Sequence, residues 1–292
     1  MSHILDGKKV AQKLKDRLKI DIQNIRSKFD CVPGLAVVQV GNVTASNVYV
    51  KAKTKAAKDV GINVFDHHLE ATTNQDELIN LINQLNNSED VDGILVQLPL
   101  PKTINEEVVL NSISPEKDAD GFHPLNVGKL SISPKNDENL MIPCTPYGCL
   151  LLLRELNIEL AGKNAVVIGR SNIVGKPMAQ LLLKESCTVT TVHSKTQNIE
   201  DICKKADILI AAIGKPEFVN KDWVKEGAII IDVGINRVKI NDEKSKLVGD
   251  VLFSDVENRV SAISPVPGGV GPMTIACLLR NTTISCKNRL IN

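Results

Sequence analysis

A lysine on the apolar face of a predicted helix is the first candidate for chemistry in this sequence. The helix is predicted over residues 46–60, and at about 100° per residue Lys53 projects about 40° from Tyr49, inside an arc that also holds Ala52 and Val60. A lysine there either extends its charged end to solvent or lies in a cavity, where desolvation favours the neutral amine. The second arrangement supplies a proton acceptor that can activate water, and the helix alone does not decide between the two.

Two further polar segments could serve the same chemistry. Gln97 ends the apolar run 93–96, near the carboxyl end of a predicted strand, and open α/β sheets bind their ligands beyond those ends. Its amide could pair with Lys53 or a ligand, or it could bond the local backbone. The segment Lys117-Asp118-Ala119-Asp120-Gly121 places two carboxylates before a glycine, which by itself is typical of an ordinary turn.

A glycine turn in the second half of the chain is suited to binding an anion. Gly169 ends an apolar predicted strand, and Gly175 follows six residues later, where a helix begins. Ser171 stands where the usual G-x-G-x-x-G motif has its second glycine. The N–H groups of such a turn and the dipole of the following helix face an anion, such as the phosphates of a dinucleotide. Because the glycine spacing is altered, the motif indicates a dinucleotide only together with its surroundings.

The end of the next predicted strand indicates which dinucleotide binds. An NAD site usually has an acidic residue there for the ribose hydroxyls, whereas this chain has Ser194 and Lys195, with Arg170 on the preceding turn. A hydroxyl and cations favour a 2′-phosphate, so the segment predicts NADP rather than NAD, the alternative being a solvated basic loop. Ile235 follows the predicted strand 228–234, at the sheet edge where a nicotinamide would lie.

The elements that would position these residues alternate along the chain. Runs rich in Val and Ile alternate with helical patterns in the order βαβαβ, and their near-continuous apolar character indicates strands buried on both faces, as in parallel sheets. With 292 residues, the predicted architecture is two doubly wound α/β domains, the second of them Rossmann-like. Strands are predicted at 35–40, 62–67, 93–98, 165–169, 188–193, 206–214 and 228–234, and helices at 8–28, 46–60, 75–86 and about 274–282.

Two segments depart from this alternation. Residues 131–141 are polar and rich in turn formers, which predicts an exposed loop or linker. Residues 264–274 hold three prolines and three glycines and lead into the predicted helix near 274–282, with Pro272 in its first turn.

Composition excludes several classes of protein. Hydrophobic residues make up 43% and charged residues 24%, which is ordinary for a globular protein. A net charge of +1 and 3% aromatic residues argue against a nucleic-acid partner. No apolar run approaches the 18 or so residues of a membrane helix, and the first residues lack a signal or transit pattern, so we expect a cytoplasmic protein without a membrane partner. The seven cysteines lack metal-ligand spacing, and we expect free thiols and no metal.

Taken together and in this order, the motifs closely resemble those of the bifunctional methylenetetrahydrofolate dehydrogenase/cyclohydrolase family. They cover nearly the whole chain, and the most specific is Pro265-Val266-Pro267-Gly268-Gly269-Val270-Gly271-Pro272-Met273-Thr274. The other matching segments are 46–53, 96–101, 115–121, 143–146, 169–171 with 174–177, 192–196 and 232–236.

The resemblance implies two reactions in one cleft between two domains. A hydride passes from 5,10-methylenetetrahydrofolate to NADP, and water then adds to the methenyl product to give 10-formyltetrahydrofolate. The family further implies a homodimer formed through the cofactor domain and no metal. It implies that residues 1–141 together with 272–292 form the folate domain, and that residues 142–271 form the NADP domain, with the C-terminal helix packed back on the first domain.

The resemblance also implies roles for individual residues. Lys53 would promote water addition and proton transfer, with Gln97 hydrogen-bonded to it. Tyr49 would lie against the folate ring system, and Asp120 would accept hydrogen bonds from the pterin. Arg170 and Ser194 would hold the 2′-phosphate. The other residues implied at the folate are Leu98, Pro99, Pro267, Gly268, Gly269 and Val270, and those implied along the dinucleotide are Gly169, Ser171 and Ile235.

Two alternatives remain beside this interpretation. One is an NADP-dependent methylenetetrahydrofolate dehydrogenase without cyclohydrolase activity, and retention of Tyr49, Lys53 and Gln97 argues against it. The other is a catalytically silent nucleotide-binding module, against which the retention of Lys53 and Asp120 argues.

Overall fold

The computed structural model describes residues 2–42, 44–135, 137–239, 241 and 245–291. The strands formed by these residues are β1 (His3–Ile4), β2 (Gly34–Val40), β3 (Asn63–Leu69), β4 (Gly93–Val96), β5 (Asn164–Ile168), β6 (Thr188–Val192), β7 (Ile208–Ala211), β8 (Ile229–Asp232), β9 (Asn236–Lys239), β10 (Ser245–Val248) and β11 (Ala262–Ile263). The helices are α1 (Gly7–Phe29), α2 (Thr44–Val60), α3 (Gln75–Asn87), α4 (Glu106–Ser112), α5 (Pro124–Ile132), α6 (Cys144–Glu155), α7 (Gly175–Lys184), α8 (Ile199–Cys203), α9 (Phe253–Val256) and α10 (Val270–Ile291), with a short 3-10 helix at Lys221–Trp223.

Contacts within the chain divide it into two compact units. The six-strand unit comprises residues 2–11 and Thr145–Thr274, and the three-strand unit comprises Gln12–Cys144 and residues 275–291. The N-terminal residues belong to the six-strand unit because β1 pairs with β11 in its sheet. The contacts thus group residues 2–11 differently from the predicted division, which joined them to the rest of segment 1–141.

The three-strand unit is built on a parallel sheet in the order β3-β2-β4. All residues of the central strand β2 are buried, which explains its apolar sequence, in which Gln39 is the one polar residue. Val38 of β2 pairs with Val96, the last residue of β4, so Gln97 leaves the sheet at its carboxyl edge. Helix α10 packs on β4, since a Cβ added at Gly93 would lie only 2.6 Å from Oγ1 of Thr282.

The six-strand unit contains a parallel sheet in the order β1-β11-β8-β7-β5-β6. From β5 the chain goes to β6 on one side and then returns to β7 on the other side, so the strand order reverses at β5. Ligands of open α/β sheets bind beyond the carboxyl ends of the strands at such a reversal. The turn that begins at Gly169 lies there.

The predicted doubly wound α/β architecture is confirmed, with differences in detail. The predicted strands are present, but 206–214 shortens to Ile208–Ala211 and 93–98 to Gly93–Val96. The antiparallel pair β9 and β10 has no counterpart among the predicted strands, because neither segment has a continuous apolar run.

The predicted exposed loop at 131–141 is only partly correct. Ser131 and Ile132 end helix α5, and the described residues after them form no helix or strand, while residue 136 lies outside the described ranges. Leu140 and Met141 are buried rather than exposed. The carbonyl of Leu140 accepts a hydrogen bond from the buried Arg280 of α10, which fixes this end of the segment on the core.

Candidate active site

Lys53 is buried and bonded to Gln97. Only 8% of Lys53 is exposed, and its Nζ donates to Oε1 of Gln97 at 3.1 Å. The other end of the Gln97 amide is fixed because Nε2 donates to the carbonyl of Leu98 at 2.7 Å. Helix α2 supplies the lysine and the end of β4 supplies the glutamine, so the two residues meet through the packing of that helix on the sheet.

The buried stripe of α2 is offset from the predicted arc. Val50, Lys53, Ala57 and Val60 are buried, whereas Ala52 is exposed. Their spacing of three, four and three residues is that of one helix face, and Lys53 lies inside this face rather than at its edge. Of the two arrangements left open by the sequence, the structure therefore has the buried lysine.

Tyr49 and the segment Leu98-Pro99 are close in sequence to Lys53 and Gln97, respectively. Tyr49 lies one helical turn before Lys53 and is partly buried. Leu98 is partly buried and Pro99 is exposed, and the peptide bond between them is cis. A partly exposed aromatic ring beside a buried amine is suited to packing against a flat heterocycle.

Asp120 is electrostatically coupled to Lys53. Burial raises the pKa of Asp120 to about 6, Lys53 opposes this rise with its positive charge, and Asp118 adds to it. The carbonyl of Asp120 accepts a hydrogen bond from N–H of Cys144 at 3.1 Å. The three-strand unit therefore brings Lys53, Gln97 and Asp120 into one electrostatic neighbourhood.

Asp118 holds the loop that carries Asp120. Its buried carboxylate accepts hydrogen bonds from N–H of Gly121 at 3.0 Å, N–H of His123 at 2.8 Å and Nδ2 of Asn126 at 2.9 Å. Burial nevertheless raises the pKa of Asp118, with these hydrogen bonds acting in the opposite direction. The turn chemistry of the sequence predicts the turn, but gives Asp118 no separate role.

Helix α10 holds the same loop from the other side. Nδ2 of the fully buried Asn281 donates to the carbonyl of Ala119 at 3.0 Å and to that of Ile142 at 2.8 Å. Gly121 has a φ of +76°, and a Cβ there would lie 2.5 Å from the carbonyl carbon of Ile142. Asn281 lies in no motif that the sequence singles out, and its signal is a polar residue within an apolar helix.

A separate cavity of about 790 Å³ lies elsewhere in the three-strand unit. It is lined by Val50, Thr54 and Asp66, among others, and lies between α2 and β3. Lys53, Gln97 and Asp120 are not among its lining residues, so this cavity is distinct from the neighbourhood of Lys53.

The glycine turn of the six-strand unit is packed closely against neighbouring backbone. Gly169 has a φ of +123°, and a Cβ there would lie 2.2 Å from the carbonyl oxygen of Ala212. A Cβ at Gly175 would lie 2.3 Å from the carbonyl oxygen of Gly169. Oγ of Ser171 accepts hydrogen bonds from N–H of Val174 and of Gly175, both at 3.2 Å. The tight turn and the start of α7 thus fit the anion site expected of such a motif.

Arg170 and Ser194 lie on neighbouring turns. Ile168 at the end of β5 pairs with Val192 at the end of β6, and each predicted residue follows its strand by two positions. Both side chains are exposed. A cation and a hydroxyl are therefore carried on adjacent turns at the carboxyl edge, a combination suited to a ribose phosphate.

A buried acidic pair shapes the segment that carries Ile235. Asp232 accepts hydrogen bonds from N–H of Gly234, Asp250 and Val251 at 2.9–3.0 Å, and Asp250 accepts one from Nδ2 of Asn236 at 2.9 Å. Burial raises the pKa of Asp232 to about 7, opposed by the backbone hydrogen bonds. Asp232 lies in the matching segment 232–236 but was given no role, and Asp250 lies in no motif that the sequence singles out.

Ile235 lies beside Gly271, the residue that follows the Pro267–Val270 segment, within the six-strand unit. Ile235 is 44% exposed, and its Cδ1 lies 3.6 Å from where a Cβ on Gly271 would be. Gly268 has a φ of +107°, and a Cβ at Gly7 would overlap the carbonyl of Gly269. The positive φ thus requires glycine at 268, and the close backbone approach requires it at 7.

Neither a metal site nor a membrane-spanning helix occurs among the described residues. Within the described ranges, no group of three or more His, Cys, Asp or Glu side chains is arranged to hold a metal ion. No helix formed by the described part of the chain combines the length and apolar character needed to cross a membrane.

Family models match both parts of the chain. Residues 5–120 match the catalytic domain of tetrahydrofolate dehydrogenase/cyclohydrolase, and residues 143–290 match its NAD(P)-binding domain. The chain belongs to the tetrahydrofolate dehydrogenase/cyclohydrolase family. The resemblance predicted from the motifs is therefore confirmed.

Curated relatives of this dehydrogenase/cyclohydrolase match it over nearly their full length. The bifunctional protein FolD of Rhodospirillum rubrum is 52% identical over 290 residues, which are 99% of this chain and 98% of that protein. The bifunctional protein FolD of Acetivibrio thermocellus is 53% identical over 284 residues, covering 97% and 96% of the two chains. The dehydrogenase/cyclohydrolase is accordingly a bifunctional enzyme, an oxidoreductase and hydrolase of folate one-carbon metabolism, as predicted.

Solved structures agree with this membership. The bifunctional FolD enzyme of Campylobacter jejuni superposes with a TM-score of 0.93 at 48% identity, covering 99% of this chain and 100% of that one. The Trypanosoma brucei enzyme, complexed with NADP cofactor and an inhibitor, has a TM-score of 0.93 at 38% identity and covers 100% and 99% of the two chains. The folate substrate class predicted for the dehydrogenase/cyclohydrolase is confirmed by its family, whereas the roles of individual residues remain predictions.

Proposed function

We propose that this enzyme uses NADP to oxidise 5,10-methylenetetrahydrofolate, and that Lys53 then activates the water that hydrolyses the product. The observation that carries the proposal is the burial of Lys53 with its Nζ 3.1 Å from Oε1 of Gln97. A lysine buried in this way is held in one position, where its amine can exchange a proton with a bound water.

The first reaction prepares the second. NADP, when bound, supplies the hydride acceptor. Loss of hydride from the methylene bridge leaves a methenyl cation on the folate, and its positive carbon is the electrophile that water attacks. The protein's part is to orient the folate: Tyr49 would lie against its ring system, and Asp120 would accept hydrogen bonds from the donor edge of the pterin.

The second reaction depends on proton transfer at Lys53. The amine would take one proton from the attacking water and return it to N5 as the bond between N5 and the former bridge carbon breaks. The remaining hydroxyl proton leaves to solvent as the formyl carbonyl forms, so one proton is released overall. Gln97 would hold Nζ in place without adding a charge.

The remaining predicted residues complete the two binding sites. Arg170 and Ser194 would bind the 2′-phosphate, and the exposed Ile235 would contact the nicotinamide. The glycine turn would bind the pyrophosphate through its N–H groups, with the hydroxyl of Ser171 keeping the turn in shape. Leu98, Pro99 and the segment Pro267–Val270 would line the folate site.

We further propose a domain assignment, an assembly and a location. Four of the predicted site residues belong to the three-strand unit: Tyr49, Lys53, Gln97 and Asp120. This supports residues 1–141 with 272–292 as the folate domain and residues 142–271 as the NADP domain. Strand β1 lies within residues 1–141 in the sequence but pairs in the sheet of the NADP domain. The enzyme would act as a homodimer in the cytoplasm, with no nucleic-acid or membrane partner. Light scattering on the purified protein tests the dimer, and a monomer at micromolar concentration would contradict it.

Single-turnover absorbance tests the proposed reaction sequence. Enzyme in excess is mixed with methylenetetrahydrofolate and NADP, and the methenyl chromophore is followed beside NADPH. We expect the chromophore to appear with NADPH and then decay faster than free methenyltetrahydrofolate hydrolyses. Accumulation of the chromophore with decay at the solvent rate would indicate a monofunctional dehydrogenase, and no NADPH at all would indicate a silent nucleotide-binding module.

A further inference from the structure

Two cysteines of the three-strand unit are neighbours although 255 positions separate them in the sequence. Cys31 lies in the connection between α1 and β2, and Cys286 lies on α10. Their Sγ atoms are 4.0 Å apart. A disulfide has its sulfurs about 2 Å apart, so the two sulfurs must approach by about 2 Å to bond.

The two thiols differ in exposure and in the secondary structure that carries them. Cys31 is partly exposed and belongs to an irregular segment, next to Asp30 with its φ of +49°. Cys286 is fully buried within a long helix. The other five cysteines, Cys144, Cys149, Cys187, Cys203 and Cys277, are also buried. A reagent in solution therefore reaches Cys31 first.

Arg289 is fixed against the exposed sulfur. Its Nη2 donates to Sγ of Cys31 at 3.4 Å, while its Nε donates to the buried carboxylate of Asp92 at 2.8 Å. Asp92 also accepts a hydrogen bond from N–H of Gly34 at 2.9 Å, which ties the guanidinium to the start of β2. The guanidinium thus places a positive charge and a hydrogen-bond donor at the sulfur that would attack a disulfide.

Cys286 has the opposite environment. Burial raises the pKa of the Cys286 thiol, and the negative charge of Asp92 adds to the rise. It is thus suited to remain a thiol while Cys31 reacts, and to act in the second step from 4.0 Å away. An accessible nucleophile beside a protected partner is the arrangement of a redox-active cysteine pair.

We propose that Cys31 and Cys286 form a modification site at which a low-molecular-weight disulfide oxidises the enzyme reversibly. The Cys31 thiolate attacks one sulfur of the oxidant, whose S–S bond breaks and releases one thiol. Cys286 loses its proton and attacks Sγ of Cys31, releasing the second thiol. Two protein thiols are oxidised to one disulfide, and one molecule of oxidant is reduced to two thiols.

The disulfide would tether α10 to the connection before β2. Helix α10 also holds the Asp120 loop through Asn281, one of the contacts on which the folate site depends. Cross-linking two positions so far apart in the sequence restricts the unfolded chain more than the folded one. Oxidation should therefore raise the unfolding temperature without placing a new group in the site.

Peptide mapping of the full-length enzyme tests the site directly. The protein is incubated with oxidised glutathione, its remaining thiols are alkylated, and peptides are mapped by mass spectrometry without reduction. We expect loss of two hydrogens, a cross-linked peptide containing Cys31 and Cys286, and its disappearance on treatment with dithiothreitol. Two unmodified thiols, or a lasting glutathione adduct on Cys31 without the cross-link, would overturn the proposal.

Variants separate the two steps. Cys286→Ser should trap the glutathione adduct on Cys31, Cys31→Ser should leave Cys286 unmodified, and Cys203→Ser should behave as wild type. Arg289→Gln should slow the first step by about tenfold. Oxidised wild type should melt about 5 °C or more above reduced wild type. Attack at Cys286 in Cys31→Ser would overturn the assigned order, and an unchanged melting temperature in cross-linked protein would overturn the tether.

Discussion

Nζ of Lys53 and Oε1 of Gln97 lie 3.1 Å apart, and the amide is oriented because its Nε2 donates to the carbonyl of Leu98. The glutamine therefore presents an acceptor without a charge. A carboxylate in the same place would favour the ammonium form, which cannot take a proton from water. Gln97 thus holds the amine of Lys53 in place without adding a charge, and this arrangement governs the expected behaviour of variants at both positions.

Lys53→Ala should remove cyclohydrolase turnover while folate binding is largely retained. We expect a loss of at least about a hundredfold, because a positioned proton acceptor contributes on that scale. Hydrolysis of methenyltetrahydrofolate measures it, and fluorescence titration measures folate binding. Lys55→Ala, an exposed lysine of the same helix, is the matched control. Equal cyclohydrolase rates in Lys53→Ala and wild type would refute the role.

Gln97→Glu should move the cyclohydrolase pH profile upward. The added carboxylate stabilises the ammonium form of Lys53, so a higher pH is needed to obtain the free amine. We expect about a tenfold lower rate at pH 7, partly recovered at pH 9. Gln84→Glu on the exposed face of α3 serves as the control. A uniform loss with an unshifted profile would mean that Gln97 acts only in packing.

Asp120→Asn should stabilise the fold above pH 7 while weakening folate binding. The folded-state pKa of about 6 exceeds the ordinary 3.8, so the contribution of Asp120 to stability is full below about pH 4 and is lost as the pH rises through 6. The variant should gain up to about 3 kcal/mol in the free energy of unfolding at pH 8 and little at pH 4. Urea unfolding at both values measures this.

Asp59→Asn, an exposed carboxylate on α2, is the control for this pH dependence. It should unfold as wild type does at both pH values. If Asp120→Asn stabilises equally at pH 4 and pH 8, the effect does not come from the ionisation of Asp120. Retention of wild-type KM for the folate would contradict its proposed contact with the pterin.

Arg170→Ala should raise the KM for NADP far more than that for NAD. Loss of a charge-assisted contact to the 2′-phosphate costs about 1.5–3 kcal/mol, or roughly ten- to a hundredfold, and NAD has no such group. Steady-state dehydrogenase kinetics with each dinucleotide measure the ratio. Lys163→Ala, at the opposite end of β5, should leave it unchanged. An equal rise for both cofactors would place the 2′-phosphate elsewhere.

Asn281→Leu should destabilise the fold and raise the KM for the folate. The variant leaves the buried carbonyls of Ala119 and Ile142 without their donor, which costs about 1–3 kcal/mol. Urea unfolding and dehydrogenase kinetics measure the two effects. Asn288→Leu, near the partly exposed end of the same helix, should change neither appreciably. A stable variant with unchanged KM would show that the Asp120 loop does not depend on α10.

Local sequence patterns predicted part of the fold. The apolar run of β2 and the glycine at 169 are signals contained within a few residues, and so the strands and the glycine turn could be located in advance. Strand β1 and the pair β9–β10 could not, because their short sequences are not apolar enough to stand out. Their pairing is decided by partners far away in the sequence.

The candidate site, like the fold, could be predicted only in part from the sequence. The helical period marked Lys53 as unusual, and the motif order indicated which residues accompany it. Neither could show that Asp118 and Asn281 hold the Asp120 loop from two sides, or that Asp232 and Asp250 shape the segment before Ile235, because these are contacts between elements.

By itself, the sequence determined the α/β class, the family and the residue types available for catalysis, since periodicity and motif spacing are properties of neighbouring residues. Only the tertiary structure decided whether Lys53 is solvated or buried. A lysine on an apolar helix face is compatible with either a solvated or a buried amine. Here the amine is buried, because Gln97 at the end of β4 accepts its hydrogen bond. Burial and charge environment depend on what packs against a residue, and here the packing converted an ambiguous lysine into a candidate catalyst.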